Sequence, residues 1–488
     1  MKILHTSDWH LGQSFFTKSR KHEHDAFLKW LLKEVDTHAI DAVIVAGDVF
    51  DTGTPPSYAR ELYHAFIGAL QGRQCTLVVL GGNHDSVSVL NESKSLLKYL
   101  NSHVIASTFG DSAEQVIALK NSIHEVGAIL CAVPFIRPKD VLVSTAGQSA
   151  IDKRHALGEA IKQHYAMLYQ QAIALRNSIA AQTQQQAETI PIVATGHLTA
   201  LGVSQSESVR DIYIGTLEGF DAKGFPPADY IALGHIHRPQ KVAKTEHIRY
   251  SGSPIPLSFD ELTSQKQIVL VEFDGVSTTP NISTLPVPRF QAMEVIKGDL
   301  KAIEAMINES EAIAYASLAN EDQNASSEPL ASHEASSSNE KPFGSKDPVW
   351  LCIEVETEDY LTDLQQRIQG LLEGKNAEIL QLKRMRKRTL KSLSKKQNVQ
   401  LSELSVNEVF EARLVLESLD EEPNETSNEA SELPQKNTEP SRIKRIKHLF
   451  AETVALVHTN KEDLENSEGL VQSKPASESE PNKETQGD

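Results

Sequence analysis

Five short β-branched runs in this chain end in Asp, Asn or His, and that pattern restricts fold and chemistry together. Residues 2–8 (KILHTSD) lead into Asp8-x-His10, and residues 41–48 (DAVIVAGD) close on Asp48. Residues 75–85 (CTLVVLGGNHD) carry Asn83, His84 and Asp85. Residues 192–196 precede His197, and residues 230–234 precede His235-x-His237. Short apolar runs bounded by Gly or polar turns read as buried strands. Amphipathic segments at 24–39 and 56–71 and a longer one at 152–186 read as helices; Pro56 opens the second. Further strands are expected at 126–135, 249–252 and 267–273. Strands alternating with helices predict an α/β fold, either a mixed sheet or a pair of packed sheets covered by helices. In such folds functional groups gather at the carboxyl ends of strands, where the loops converge.

The residue types fit one kind of chemistry. Two divalent cations about 3.5–4 Å apart need a carboxylate that bridges them. Neutral imidazoles and an amide oxygen complete each shell without making the site too anionic to accept a phosphate. Mixed nitrogen and oxygen ligands suit Mn, Fe or Zn better than Mg. Water held by two such ions loses a proton near neutral pH and becomes a nucleophile. Singly, each motif is weak: a lone DxH in a loop is usually solvated, and GDVFD (residues 47–51) could be a turn using Gly for positive φ. Five in series are not. The remaining histidines, such as His22, His24, His103, His155, His164, His247 and His448, match no motif and read as surface or capping residues, while His5 within the first strand reads as packing.

The series DxH, GDxxD, GNHD, GH and GHxH resembles the metallophosphoesterase (calcineurin-like) superfamily. The resemblance implies a two-sheet β-sandwich core flanked by helices. It implies one metal held by Asp8, His10, Asp48 and His237, and a second held by Asp48, Asn83, His197 and His235, with Asp48 as the bridge. His84 would stay off the metals and assist the leaving oxygen, Asp85 would orient His84, and Asp51 would support the site. Within the superfamily, LHTSDWHLGQSFFTKSRKHEHDAFLKWLL, VAGDVFDTGTPPSYARELYHAF, and GHIHRPQKV followed by YSGSPIPLSFDE are similar to SbcD-type bacterial nuclease subunits. That likeness implies Mn-dependent hydrolysis of DNA phosphodiesters, with 3′→5′ exonuclease and endonuclease activities. It also implies an SbcC-type coiled-coil ATPase as partner, and a dimer.

The domains expected are a nuclease domain at 1–285 and a small α+β capping domain at 286–397, with a helix at 299–317, a strand at 349–356, a helix at 359–372 and a strand at 378–384. A helical SbcC-binding region at 398–460 and an acidic tail at 461–488 follow. Ser/Glu-rich stretches near 318–347 and 421–440 cannot bury enough apolar area to order themselves. The net charge of −18 argues against DNA only until it is located: residues 401–488 carry −11 and residues 318–347 carry −4, leaving −3 for the body. Residues 382–396 hold eight basic and no acidic side chains, a phosphate-contact candidate or a solvated helix face. Ile443, Ile446, Phe450, Val454 and Val457 form one helical stripe, and Val406, Val409, Phe410 and Leu414 suggest another, suited to a coiled-coil partner or to the chain's own cap. Three scattered cysteines without CxxC spacing fit reduced core thiols and a cytoplasmic setting. No signal peptide or membrane span is expected. A small-molecule or cyclic-nucleotide phosphodiesterase using the same metals is the alternative enzyme; a scaffold that has lost catalysis would lack ligands, and none is missing.

Overall fold

The computed structural model describes residues 1–142, 149–183, 185–210, 212, 219–317, 347–356, 363–385 and 450. In chain order the strands are β1 (Lys2–Thr6), β2 (Ser14–Phe15), β3 (Lys18–Ser19), β4 (Ala42–Val45), β5 (Thr76–Leu80), β6 (Ser102–Ile105), β7 (Val116–Lys120) and β8 (Val126–Cys131). There follow β9 (Ile192–His197), β10 (Tyr230–Gly234), β11 (Gln240–Lys241), β12 (Ile248–Tyr250), β13 (Gln267–Glu272), β14 (Asn281–Pro286), β15 (Met293–Gly298), β16 (Val349–Glu356) and β17 (Ala377–Met385).

Two six-stranded sheets form the body, in the orders β14-β13-β1-β4-β5-β6 and β11-β12-β10-β9-β8-β7. Their central strands β1, β4, β5 and β6, and β8, β9, β10 and β12, run parallel. Side chains alternate faces along a strand with period two, and here both faces are apolar. On one face Ile3, Ala42, Ile44, Val78 and Leu80 meet Leu130, Val193, Tyr230 and Ala232 of the other sheet. On the opposite face Leu4, Val43, Val45, Leu77 and Val79 pack under the helices α1 (Lys21–His38) and α2 (Ser57–Gln71), through Phe27, Leu31, Tyr63 and Phe66. The second sheet is covered likewise by the long helix Ala150–Thr183, whose Leu157, Ile161, Tyr165 and Leu168 fall on one stripe. Burial on both faces is why the strands read as continuous apolar runs, and each fully buried Leu, Ile or Phe contributes about 1.5–3 kcal/mol. The architecture is a pair of packed sheets between helices.

The strands end earlier than the sequence suggests. β1 stops at Thr6, β4 at Val45 and β5 at Leu80, so Asp8, His10, Asp48 and Asn83 stand on the turns beyond. Pro56 is the cap preceding α2, extended at φ −62° and ψ 156°, rather than its first helical residue.

A three-stranded parallel sheet, β15-β16-β17, follows. The helices Leu300–Glu309 and Leu364–Leu371 cover one face through Ile303, Ile307, Leu364 and Ile368. The helix expected at 299–317 breaks at Ser310 and resumes over 311–317. The other face carries Trp350 against the body, its ring stacked on Phe15 at 5.5 Å beside Phe259. Of the basic run, Lys383 lies on β17, 3.8 Å from both Glu207 and Glu354. Residues 386–396, the proposed amphipathic segments apart from Phe450, and the acidic stretches lie outside the described residues. Among the described residues no helix is long and apolar enough to cross a membrane.

Candidate metal centre

The carboxyl ends of β1, β4, β5, β9 and β10 converge on one rim, where the two sheets are stitched across the site. His197, at the end of β9, donates from Nδ1 to the Ala46 carbonyl beyond β4 at 2.9 Å. The His235 amide beyond β10 donates to Asp8 Oδ1 at 2.9 Å. These turns are unusually constrained. Asp8, His10, Asp48 and His235 all have positive φ, at 54°, 45°, 51° and 94°. For side chains with a Cβ such backbone costs on the order of 1–3 kcal/mol each and persists only where the surroundings impose it. The backbone bonds Asp8 N to Gly47 O and His10 N to Asp48 O, both 3.0 Å, do so. The glycines preceding the ligands follow from crowding. A Cβ on Gly47 (φ 95°) would sit 2.2 Å from His197 Nδ1, and one on Gly82 would sit 2.1 Å from Asp48 Oδ1.

All seven proposed ligands are brought together. Ligand atoms of Asp8, His10 and His237 lie within 4.8 Å of one another, as do those of Asp48, His197 and His235. A third such group joins His10, Asp48 and His84. Asn83 Oδ1 lies 2.9 Å from His197 Nε2 and 3.1 Å from His235 Nδ1. Asp48 stands between the groups, its Oδ2 3.2 Å from His197 Nε2 and 3.7 Å from His10 Nε2. His10 is turned by its Nδ1, 3.1 Å from Asp51 Oδ1. A hydrogen bond at one ring nitrogen fixes the other to face the centre.

Asp8, His10, Asp48, His197, His235 and His237 are at most 2% exposed. Two of their buried nitrogens, His10 Nε2 and His235 Nε2, have no hydrogen-bond partner among the described residues. Unpartnered buried acceptors cost about 1–3 kcal/mol each unless something satisfies them. Imidazole nitrogens and carboxylate oxygens gathered in two groups that meet near Asp48 are a donor set for borderline divalent cations, and the residues fit the metals that the sequence resemblance implies.

The protonation pattern agrees. Despite burial, His197 and His10 hold Asp48 well below the usual carboxylate range. Burial opposes it, yet the Asp48 and Asp8 carboxylates raise His197 to about 9. Burial and the neighbouring His197 keep His235 well below its ordinary value.

Two expectations are corrected. The Asp85 carboxylate does not touch the His84 ring: it accepts from the amides of Val49 (3.1 Å), Phe50 (2.9 Å) and Gly82 (2.9 Å), tying the turn after β4 to that after β5. The His84 ring is fixed instead by its Nδ1 donating to the Asp51 carbonyl at 2.7 Å. Burial and the Asp48 charge push Asp85 up to about 6. His24 is no surface residue; it is fully buried in α1, and neither ring nitrogen has a partner among the described residues. His5 does pack, bonded to the Tyr230 hydroxyl at 2.9 Å and the Leu233 carbonyl at 3.1 Å. The sequence reading also missed Ser7, whose hydroxyl donates to Asp8 Oδ2 at 2.6 Å. Its place inside the TSD motif was the available signal.

The fold and this centre together are those of a phosphoesterase. A family model for calcineurin-like phosphoesterases matches residues 1–239, and one described as the type 5 capsule protein repressor C-terminal domain matches residues 289–418. The chain is 45% identical over 454 residues to the SbcD subunit of nuclease SbcCD from Escherichia coli (strain K12), covering 93% of this chain and 98% of that protein. It is 33% identical to the corresponding protein of Rhodobacter capsulatus, over 59% of this chain and 70% of that one. The Bacillus subtilis counterpart is 31% identical, over 56% of this chain and 66% of its own length. The chain belongs to the SbcD family of calcineurin-like phosphoesterases.

Proposed function

We propose that the chain is the nuclease subunit of an SbcCD-type complex and hydrolyses DNA phosphodiester bonds with two divalent cations, Mn²⁺ the expected pair. In this reading Asp8, His10, Asp48 and His237 hold one cation, and Asp48, Asn83, His197 and His235 the other. The cations would supply Lewis acidity and an activated water. The chain's residues do the rest. Asp48 spreads one negative charge over both sites. His84, half-buried and held by the Asp51 carbonyl, presents its other nitrogen to the leaving oxygen. Its imidazole is held below its ordinary value chiefly by burial. Asp85 keeps the turns bearing Asp48 and Asn83 in register.

The proposed organisation is a nuclease domain at 1–285, a capping domain at 286–397, a helical region at 398–460 that docks the coiled-coil ATPase, and an acidic tail at 461–488. A 2:2 assembly, dimerisation through the nuclease domain and a cytoplasmic location belong to the same reading.

The observation that carries it is the convergence of Asp8, His10 and His237, and of Asp48, His197 and His235, in one buried centre, in a chain aligned to 98% of a named nuclease subunit. The test is digestion of end-labelled linear and hairpin duplex DNA with Mn²⁺, with and without the partner ATPase and ATP. Metal-dependent cleavage that the ATPase stimulates is expected. Turnover of nucleotides or bis(p-nitrophenyl) phosphate without DNA cleavage under either condition would favour a small-molecule phosphodiesterase.

A further inference from the structure

His237 has a support that none of the other described histidines shares. It is 2% exposed, and its Nδ1 lies 2.6 Å from the Ser208 hydroxyl and 3.4 Å from Glu261 Oε1. Glu261 is fully buried and saturated with donors. Oε1 accepts from the hydroxyls of Ser206 (2.8 Å) and Ser208, while Oε2 accepts from the Leu257 amide (3.0 Å), Ser253 and the Lys266 ammonium. Lys266, itself 5% exposed, also donates to the His237 carbonyl at 3.0 Å, so it grips both the residue and its carboxylate neighbour.

Proton inventory orders this chain. An ionised carboxylate has no hydrogen to give, and a serine has one. Ser208 donates it to Glu261, so the serine oxygen accepts from His237 Nδ1–H. The ring is thereby fixed as the tautomer with a free Nε2 lone pair, in the same group as Asp8 and His10.

We propose that Ser208 and Glu261 are positioning residues for His237, a hydroxyl-relayed carboxylate that sets the tautomer and aim of one metal ligand and so tunes one of the two cation sites selectively. The proposal rests on the two-cation reading above. Outer partners of this kind change metal affinity by about 10- to 100-fold when removed.

The test is isothermal titration of the metal-stripped full-length chain with Mn²⁺ alone, for wild type, S208A, S208T, E261Q and H237A. H237A is the benchmark for loss of one site. S208A should weaken one of two sites about tenfold or more, leaving the other within about twofold, and S208T, which keeps the hydroxyl, should restore it. E261Q should weaken the same site. Ser208 is only half-buried, so the serine pair decides the matter even if E261Q fails to fold. The proposal is overturned if S208A binds both ions as wild type does while H237A loses one, or if S208T, which keeps the hydroxyl, binds no better than S208A. If H237A itself retains both ions, the assignment of His237 as a ligand fails instead.

Discussion

At the residue scale the account turns on Asp48. Its carboxylate lies within 3.7 Å of imidazoles from both halves of the site. Asp48→Asn keeps the shape and removes the charge that would let two cations sit together. We expect loss of paired Mn²⁺ binding by titration and a fall in DNA hydrolysis on the order of 10³-fold, matching the several kcal/mol such charge stabilisation supplies. His84 is the contrasting case, because its Nδ1 is committed to the Asp51 carbonyl. His84→Gln should bind two ions as wild type does while single-turnover cleavage falls about 10²- to 10⁴-fold, the range for a lost proton-transfer group. Loss of an ion in that variant would make His84 a ligand. Most of these residues were legible from the sequence, because ligand chemistry restricts residue type and strand ends restrict position. The partners of the ligands were not. No spacing rule connects Ser208 and Glu261 with His237, and the geometry after β5 turns the Asp85 carboxylate to backbone amides where adjacency in sequence suggested the His84 ring.

At the scale of elements, the turns after β1, β4 and β10 hold strained backbone to aim side chains. Gly47→Ala places a methyl 2.2 Å from His197 Nδ1 on a residue at φ 95°. We expect a loss of about 1–3 kcal/mol in urea unfolding, together with weakened metal binding, since His197 must move. Unchanged affinity in that variant would mean that the close approach does not position the ligand. β1 and α1 carry a second liability in His5 and His24, each lowered to about 3 by burial. Both stay neutral in the fold, whereas an unfolded histidine takes up a proton near pH 6.5. Their contribution is therefore complete above pH 6.5 and is lost as pH falls from there toward 3, at about 1.4 kcal/mol per unit for each. Urea unfolding of His24→Leu should show a shallower loss between pH 7 and 5 than wild type; equal slopes would show that His24 is not held neutral. The strands that escaped the sequence reading share a cause. β14 is almost wholly exposed or half-exposed, β6 and β7 are edge strands, and β15 is apolar only at intervals. The central strands buried on both faces announce themselves, whereas these do not.

For the whole molecule, two sheets pressed face to face bring distant stretches of chain to one rim. The packed-sheet alternative follows from physics the sequence carries only in part. Apolar runs show that strands are covered on both sides, but only the sorting of alternate residues into two cores shows that one cover is another sheet. The three-stranded sheet is anchored by Trp350 on Phe15, a contact between residues far apart in sequence that no local pattern marks. The claim on which everything else depends is that two cations share Asp48 in this centre. Anomalous diffraction from crystals of the full chain grown with Mn²⁺ tests it directly. The account predicts two peaks about 3.5–4 Å apart, both in contact with Asp48 and divided between the Asp8, His10, His237 group and the Asn83, His197, His235 group. A single peak, or a pair that does not touch Asp48, would contradict it.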